Sequence, residues 1–169
     1  MRNNFFLYYL LLLIGQMMVC NFLHVSPLLT LNILPALILC IPTRFKTASL
    51  LFIAFFSGLV VDLFSDCSIG LNAFALLPVA LVKISLCSFV FGEELIAREE
   101  EFSIRKYGLA KVLFAILVLQ TMFLLLYIWA DGGSSRPLEF SATRFGLSLL
   151  VSVVVSVPLV SMLKPDERK

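Results

Sequence analysis

Few side chains in this sequence could do chemistry, and most of those that could lie between Gly58 and Asn72. Asp62 and Asp66 are four residues apart, the spacing that puts two carboxylates on one face of a helix. With Gly58 they spell G-x3-D-x3-D, and two such carboxylates could form part of a metal site. Such a site needs further carboxylates to complete it. The segment upstream, Arg44-Phe45-Lys46-Thr47-Ala48-Ser49, holds none. His24 is the only histidine, and Cys20, Cys40, Cys67 and Cys87 form no C-x-x-C pair, so no zinc cluster is expected. Neither G-x-S-x-G, H-E-x-x-H nor a phosphate-cradling loop is present. These absences predict a protein that is not an enzyme and has neither a metal nor a cofactor.

The elements that must position these residues are apolar. Of 169 residues, 60% are hydrophobic and 14% charged, with mean hydropathy +1.02. A soluble domain carries roughly 25% charged residues. An excess of this size cannot be buried in a soluble core, so the expected class is an all-α integral membrane protein with a single bundle spanning 1–169. The net charge of +2 is small, and there is no basic run of the kind that tracks phosphates, so no nucleic-acid partner is expected. Six transmembrane helices are predicted, at about 5–23, 28–41, 47–64, 71–91, 109–130 and 143–163. The first has the outline of a signal peptide but no small residues for cleavage, and is expected to be a retained anchor. The second is short. As a helix its fourteen residues reach about 21 Å against a hydrocarbon core of about 30 Å. Pro35 lies within it, so a kink, an extension by its flanks or a re-entrant path is open.

Polar residues within these spans mark contacts between helices. Gln16 and Asn21 in the first span are expected to bond to neighbouring helices. Ser57 and Gly58 are small enough for a helix to approach closely. Tyr127 and Trp129 match an interfacial aromatic belt. The segment 92–108 is charged, bounded by Gly92 and Gly108, and contains Glu94 and Arg98 at a favourable spacing. It is expected either as a helix lying on a surface or as a solvated connector. Asp131 to Ala142 reads as a flexible loop and 164–169 as a charged tail.

Orientation follows from the basic residues. With the N-terminus inside, ten of the thirteen lysines and arginines fall on inner segments: Arg2, Arg44, Lys46, Arg98, Arg105, Lys106, Lys111, Lys164, Arg168 and Lys169. Only Arg136 and Arg144 fall outside, and Lys83 lies within a span. The positive-inside rule therefore places both termini in the cytoplasm and the Asp62 hinge on the outer face. Cys20 and Cys67 then both lie near the outer surface, where a disulfide is open.

The hinge has a structural role to fill whatever else it does. Asn72 is placed to cap the first turn of the following helix, and Asp62 to accept from the same orphan amides. An Asp62–Lys83 ion pair is not expected. Lys83 is twelve residues into its span, about 18 Å deep, beyond a lysine's reach. It is expected to snorkel or to meet a polar atom of the bundle.

Two families share parts of this pattern. G-x3-D-x3-D resembles half of the metal motif of CDP-alcohol phosphotransferases, whose upstream D-G-x2-A-R half is missing here. The fuller pattern, Gly58-Leu59-Val60-Val61-Asp62-Leu63-Phe64-Ser65 and then Ile69-Gly70-Leu71-Asn72-Ala73 before a long apolar helix, resembles the MreD family of bacterial rod shape-determining proteins. Length, span count, orientation and the early Gln16 are similar to that family too. The resemblance implies a fold similar to the S components of energy-coupling-factor transporters. It implies a non-enzymatic component of the wall-elongation machinery in the bacterial inner (cytoplasmic) membrane. The partners implied are an MreC-like bitopic protein, the MreB filament, and RodA with its transpeptidase. The matched residues, Gly58, Asp62, Gly70 and Asn72, mark a shared hairpin that binds partners or holds structure, with no catalytic role. The alternative is a small-molecule-binding transporter subunit like the S components themselves. The polar set Gln16, Asn21, Asp62 and Asn72 is sparse for such a pocket.

Overall fold

Hydrocarbon offers no hydrogen bonds, so a backbone that crosses it must satisfy itself, and helices do so within one segment. The computed structural model describes residues 2–22, 29–43, 45–65, 68–92, 107–132 and 137–163. Among them are six helices and no strand. They are α1 (Arg2–Phe22), α2 (Leu34–Cys40), α3 (Thr47–Phe64), α4 (Leu71–Phe91), α5 (Leu109–Gly132) and α6 (Leu138–Leu163). Within α3, α4, α5 and α6 lie four stretches long and apolar enough to cross a membrane, and α1 carries a shorter apolar stretch, Phe6–Asn21. The chain is thus an all-helical protein with the helices of a membrane protein. Bounds for α3 and α4 coincide with the expected ones, and α5 and α6 run longer than expected.

The second span is the main departure. Only Leu34–Cys40 is helical, and 29–33 is not. Pro35 does not kink a long helix; it sits in the first turn of a short one, where its missing N–H has no intrahelical partner to lose. Every residue of α2 is buried. A helix buried all round must be the centre of its bundle, and each of the other five helices packs against it. Their outward faces carry large apolar side chains, including Phe6, Phe52, Phe56, Phe89 and Leu150.

Several other expectations change in detail. Asn21 is exposed rather than bonded inside. Tyr127 is buried, stacked on Phe123 with ring centres 5.7 Å apart, so only Trp129, at 67% exposure, faces outward as a belt residue would. Arg144 is buried, ion-paired to Asp131, and lies over the Tyr127 ring. The Gly92 and Gly108 boundaries both have positive φ, and Phe91 meets Tyr107 edge-on at 5.2 Å. Glu94, Arg98 and the rest of 93–106 lie outside the described residues. So do His24, Asp66, Cys67, the 133–136 part of the expected loop, and the charged tail. The expected Cys20–Cys67 pairing therefore lies outside them as well.

Candidate functional site

The four residues marked by the hairpin pattern meet in one place. α3 and α4 form an antiparallel pair, and Gly58 is where their backbones touch. A Cβ built on Gly58 would lie 2.5 Å from both the Cα and the N of Ala73. Asp62 is one turn further along the same face of α3, so it arrives beside the first turn of α4. Its carboxylate accepts from the backbone N–H of Asn72 (3.1 Å to each oxygen), the N–H of Ala73 (3.2 Å) and the side-chain amide of Asn72 (2.8 Å). Asp62 is 1% exposed. The residue before α4 is Gly70, with φ +90°, which has no side chain to offer the helix start. Gly70 thus turns the chain, and Asp62 supplies from a second helix the acceptor that an ordinary capping residue would supply from the same one. Carboxylate and helix start are favourably paired in charge as well.

Gly70→Ala should therefore strain the turn without touching the acceptor. A destabilisation of about 1–2 kcal/mol is expected from its left-handed φ, read as a lower melting temperature in detergent. Nothing lies within 4 Å of its added Cβ, so sterics should add nothing.

Asn72 was expected to cap α4. It bridges instead. Its Nδ2 donates to Asp62, and its Oδ1 accepts from Asn32 Nδ2 at 2.8 Å. Asn32 Oδ1 in turn accepts the N–H of Leu34 at the start of α2 (3.0 Å). A backbone N–H can only donate, and this fixes the orientation of both amides. The relay runs from α3 through α4 into the centre of the bundle.

There it meets the non-helical segment before α2. Thr30 N–H donates to Ser148 Oγ (2.9 Å) and Asn32 N–H to Ser152 Oγ (3.2 Å). Two residues of this segment match four of α6, whose rise is about 6 Å, so the segment advances about 3 Å per residue and is extended. The Asn32 carbonyl accepts from Gln120 Nε2 of α5 at 2.8 Å. On the opposite side Gln16 of α1 behaves as a peptide of a neighbouring strand would. Its Oε1 accepts from Ile33 N–H (3.0 Å) and its Nε2 donates to the Leu31 carbonyl (3.1 Å). Side chains from α1, α5 and α6 thus replace the ladder that exposed extended backbone would lack in a membrane. Gln16→Leu should leave that N–H and that carbonyl buried and unpaired. A loss of about 2–4 kcal/mol is expected in an unfolding titration, with α1 released first.

At its other end α2 is held by Lys83, which donates to the Ile41 carbonyl just past the helix and is 1% exposed. A cation at a helix C-terminus is favourably placed. Lys83 thus meets a polar atom of the bundle, and the described contacts of Asp62 are with Asn72 and Ala73. Ser57, beside Gly58, bonds to Tyr9 OH at 2.8 Å and ties α1 to α3.

Asp62 is turned to amides, and no group of three or more His, Cys, Asp or Glu capable of holding a metal occurs among the described residues. Sequence reasoning missed Gln120, Ser148 and Ser152. The available signals were one glutamine inside an otherwise apolar run and serines repeating every four residues, at 148, 152 and 156. Comparison with protein-family models, curated proteins and solved structures finds no match to this chain.

Proposed function

We propose that this chain is a non-enzymatic membrane scaffold of the MreD type, holding an MreC-like bitopic protein, the MreB filament, and RodA with its transpeptidase in one elongation complex. The observation that supports this best is the convergence of Gly58, Asp62, Gly70 and Asn72 on a single clamp. Residues picked out by a family-like pattern here use their polar atoms on one another. That suits a stiff docking element and suits neither catalysis nor a ligand pocket.

The proposal places the protein in a bacterial cytoplasmic membrane with six crossings, both termini inside and the α3–α4 turn outside. The second crossing needs no long helix. Ile33 already has helical backbone angles, so four extended residues at about 3.3 Å and eight of helical rise at about 1.5 Å reach about 25 Å, approaching the hydrocarbon thickness. A fold similar to the energy-coupling-factor S components belongs to the same proposal.

Depletion in the native rod-shaped cell should convert rods to spheres, followed by microscopy and by labelling of new wall. Photocrosslinkers at Ser65 and Ser68 should capture an MreC-like protein from the outer side. Unchanged shape and wall growth on depletion would dismiss the proposal. Capture of an energy-coupling ATPase instead would replace it with a transporter role.

A further inference from the structure

α6 turns an unusual stripe inward. Arg144, Ser148, Ser152 and Ser156 recur every four residues and are all buried. Ser148 and Ser152 hold the extended segment, as described. Two strong polar atoms beside this stripe have no hydrogen-bond partner: Gln120 Oε1, an acceptor on a side chain that is 0% exposed, and Arg144 Nε, a donor on a residue that is 7% exposed. They are not scattered. The Gln120 amide and the Ser152 hydroxyl bond to the carbonyl and the N–H of the same residue, Asn32. Arg144 is two turns from Ser152 on the same face, at the end of the bundle where α6 begins, beside Asp131.

Leaving such atoms dry is unfavourable, because each loses its hydration without replacement. Gln120 Oε1 needs a donor and Arg144 Nε an acceptor, and water can serve as either. Ser152 Oγ receives the Asn32 N–H and still has its own hydrogen to give, so it offers a second contact beside Gln120 Oε1. A polar site with several partners is where buried water binds.

We infer that the serine face of α6 is a hydrated seam. It runs from Arg144 and Asp131 at the end of the bundle to Gln120 at its centre and takes water as its ligand. Its inner end is Gln120, bonded to the Asn32 carbonyl just before the wholly apolar α2. The seam is independent of the scaffold proposal: a dry seam leaves that proposal standing, and a cell-shape defect says nothing about the seam.

Exchange of a thiol proton reports water at a chosen depth. Ser152→Cys in the full-length protein, reconstituted in phosphatidylcholine vesicles and moved into D2O, adds one S–H band that is isolated by difference from the parent spectrum. That band should convert to S–D at least tenfold faster than the bands of the buried Cys40 and Cys87. Ser148→Cys, one turn nearer the mouth, should exchange faster still. If Ser152→Cys fails to assemble, Ser148→Cys carries the same comparison. Exchange at either position as slow as at Cys40 and Cys87 would overturn the inference.

Discussion

Gly58→Ala is expected to be among the most damaging single-methyl additions this protein can receive. The new Cβ would meet the Cα and N of Ala73 at 2.5 Å and the Asn72 carbonyl carbon at 2.9 Å. All three are backbone atoms at the start of a helix, so no rotamer change relieves the clash. α3 and α4 must separate. Overpacking of this kind typically costs 1–3 kcal/mol and occasionally more; here the separation also lengthens every bond Asp62 makes to α4, so about 3 kcal/mol or more is expected. The measurement is reversible unfolding in mixed micelles. Gly146→Ala and Gly15→Ala are the controls. Neither added Cβ has an atom within 4 Å, and alanine favours a helix over glycine by about 0.5–1 kcal/mol. Both should be neutral or stabilising. A Gly58→Ala protein as stable as these would mean that the two backbones do not touch.

That contact was partly visible in the sequence. A small residue one turn before a buried carboxylate suggests close approach, and the apolar runs gave α3 and α4 their ends. Both signals are local: run length, helical spacing and the identity of one residue. What stayed hidden depends on neighbours that arrive from far along the chain. An apolar run such as Leu28 to Ile41 has no period that tells helix from extended backbone. Only the side chains of Gln16, Gln120, Ser148 and Ser152, up to 120 residues away in sequence, make an extended path affordable there. Asn72 looked like a capping residue because its position suits one. It bridges because Asp62 already occupies the amides and Asn32 lies on its other side. Tyr127 looked interfacial by its place near a span end, yet Phe123 and Arg144 cover it. In each case the residue type was read correctly and its partner was not.

Asp62 is where those long-range contacts can be tested together. Asp62→Ala removes the described acceptor of the Asn72 N–H, the Ala73 N–H and the Asn72 side-chain amide. Each buried orphan costs about 1–3 kcal/mol. Water reaching the α3–α4 turn would recover part of this, so about 4 kcal/mol is expected. Asp62→Asn should cost about 2 kcal/mol, because one oxygen survives while the new NH2 group faces a backbone donor. Asp62→Glu should not restore the parent, since Gly58 fixes the helices at backbone contact and leaves no space for a further methylene. The relay makes a sharper claim. Asn72→Ala leaves Asn32 Nδ2 without its described acceptor at the edge of α2, so it should also destabilise. With Asp62 already absent, however, Asn72 has lost its anchor, and removing it should matter less. The double variant Asp62→Ala, Asn72→Ala should therefore be more stable than the sum of the single effects predicts, by about 1 kcal/mol or more. Strict additivity would mean that Asp62 caps α4 and does nothing further. Coupling of that size would make the hairpin clamp and the central α2 element one mechanical unit, so that a partner gripping the turn would hold the middle of the bundle as well.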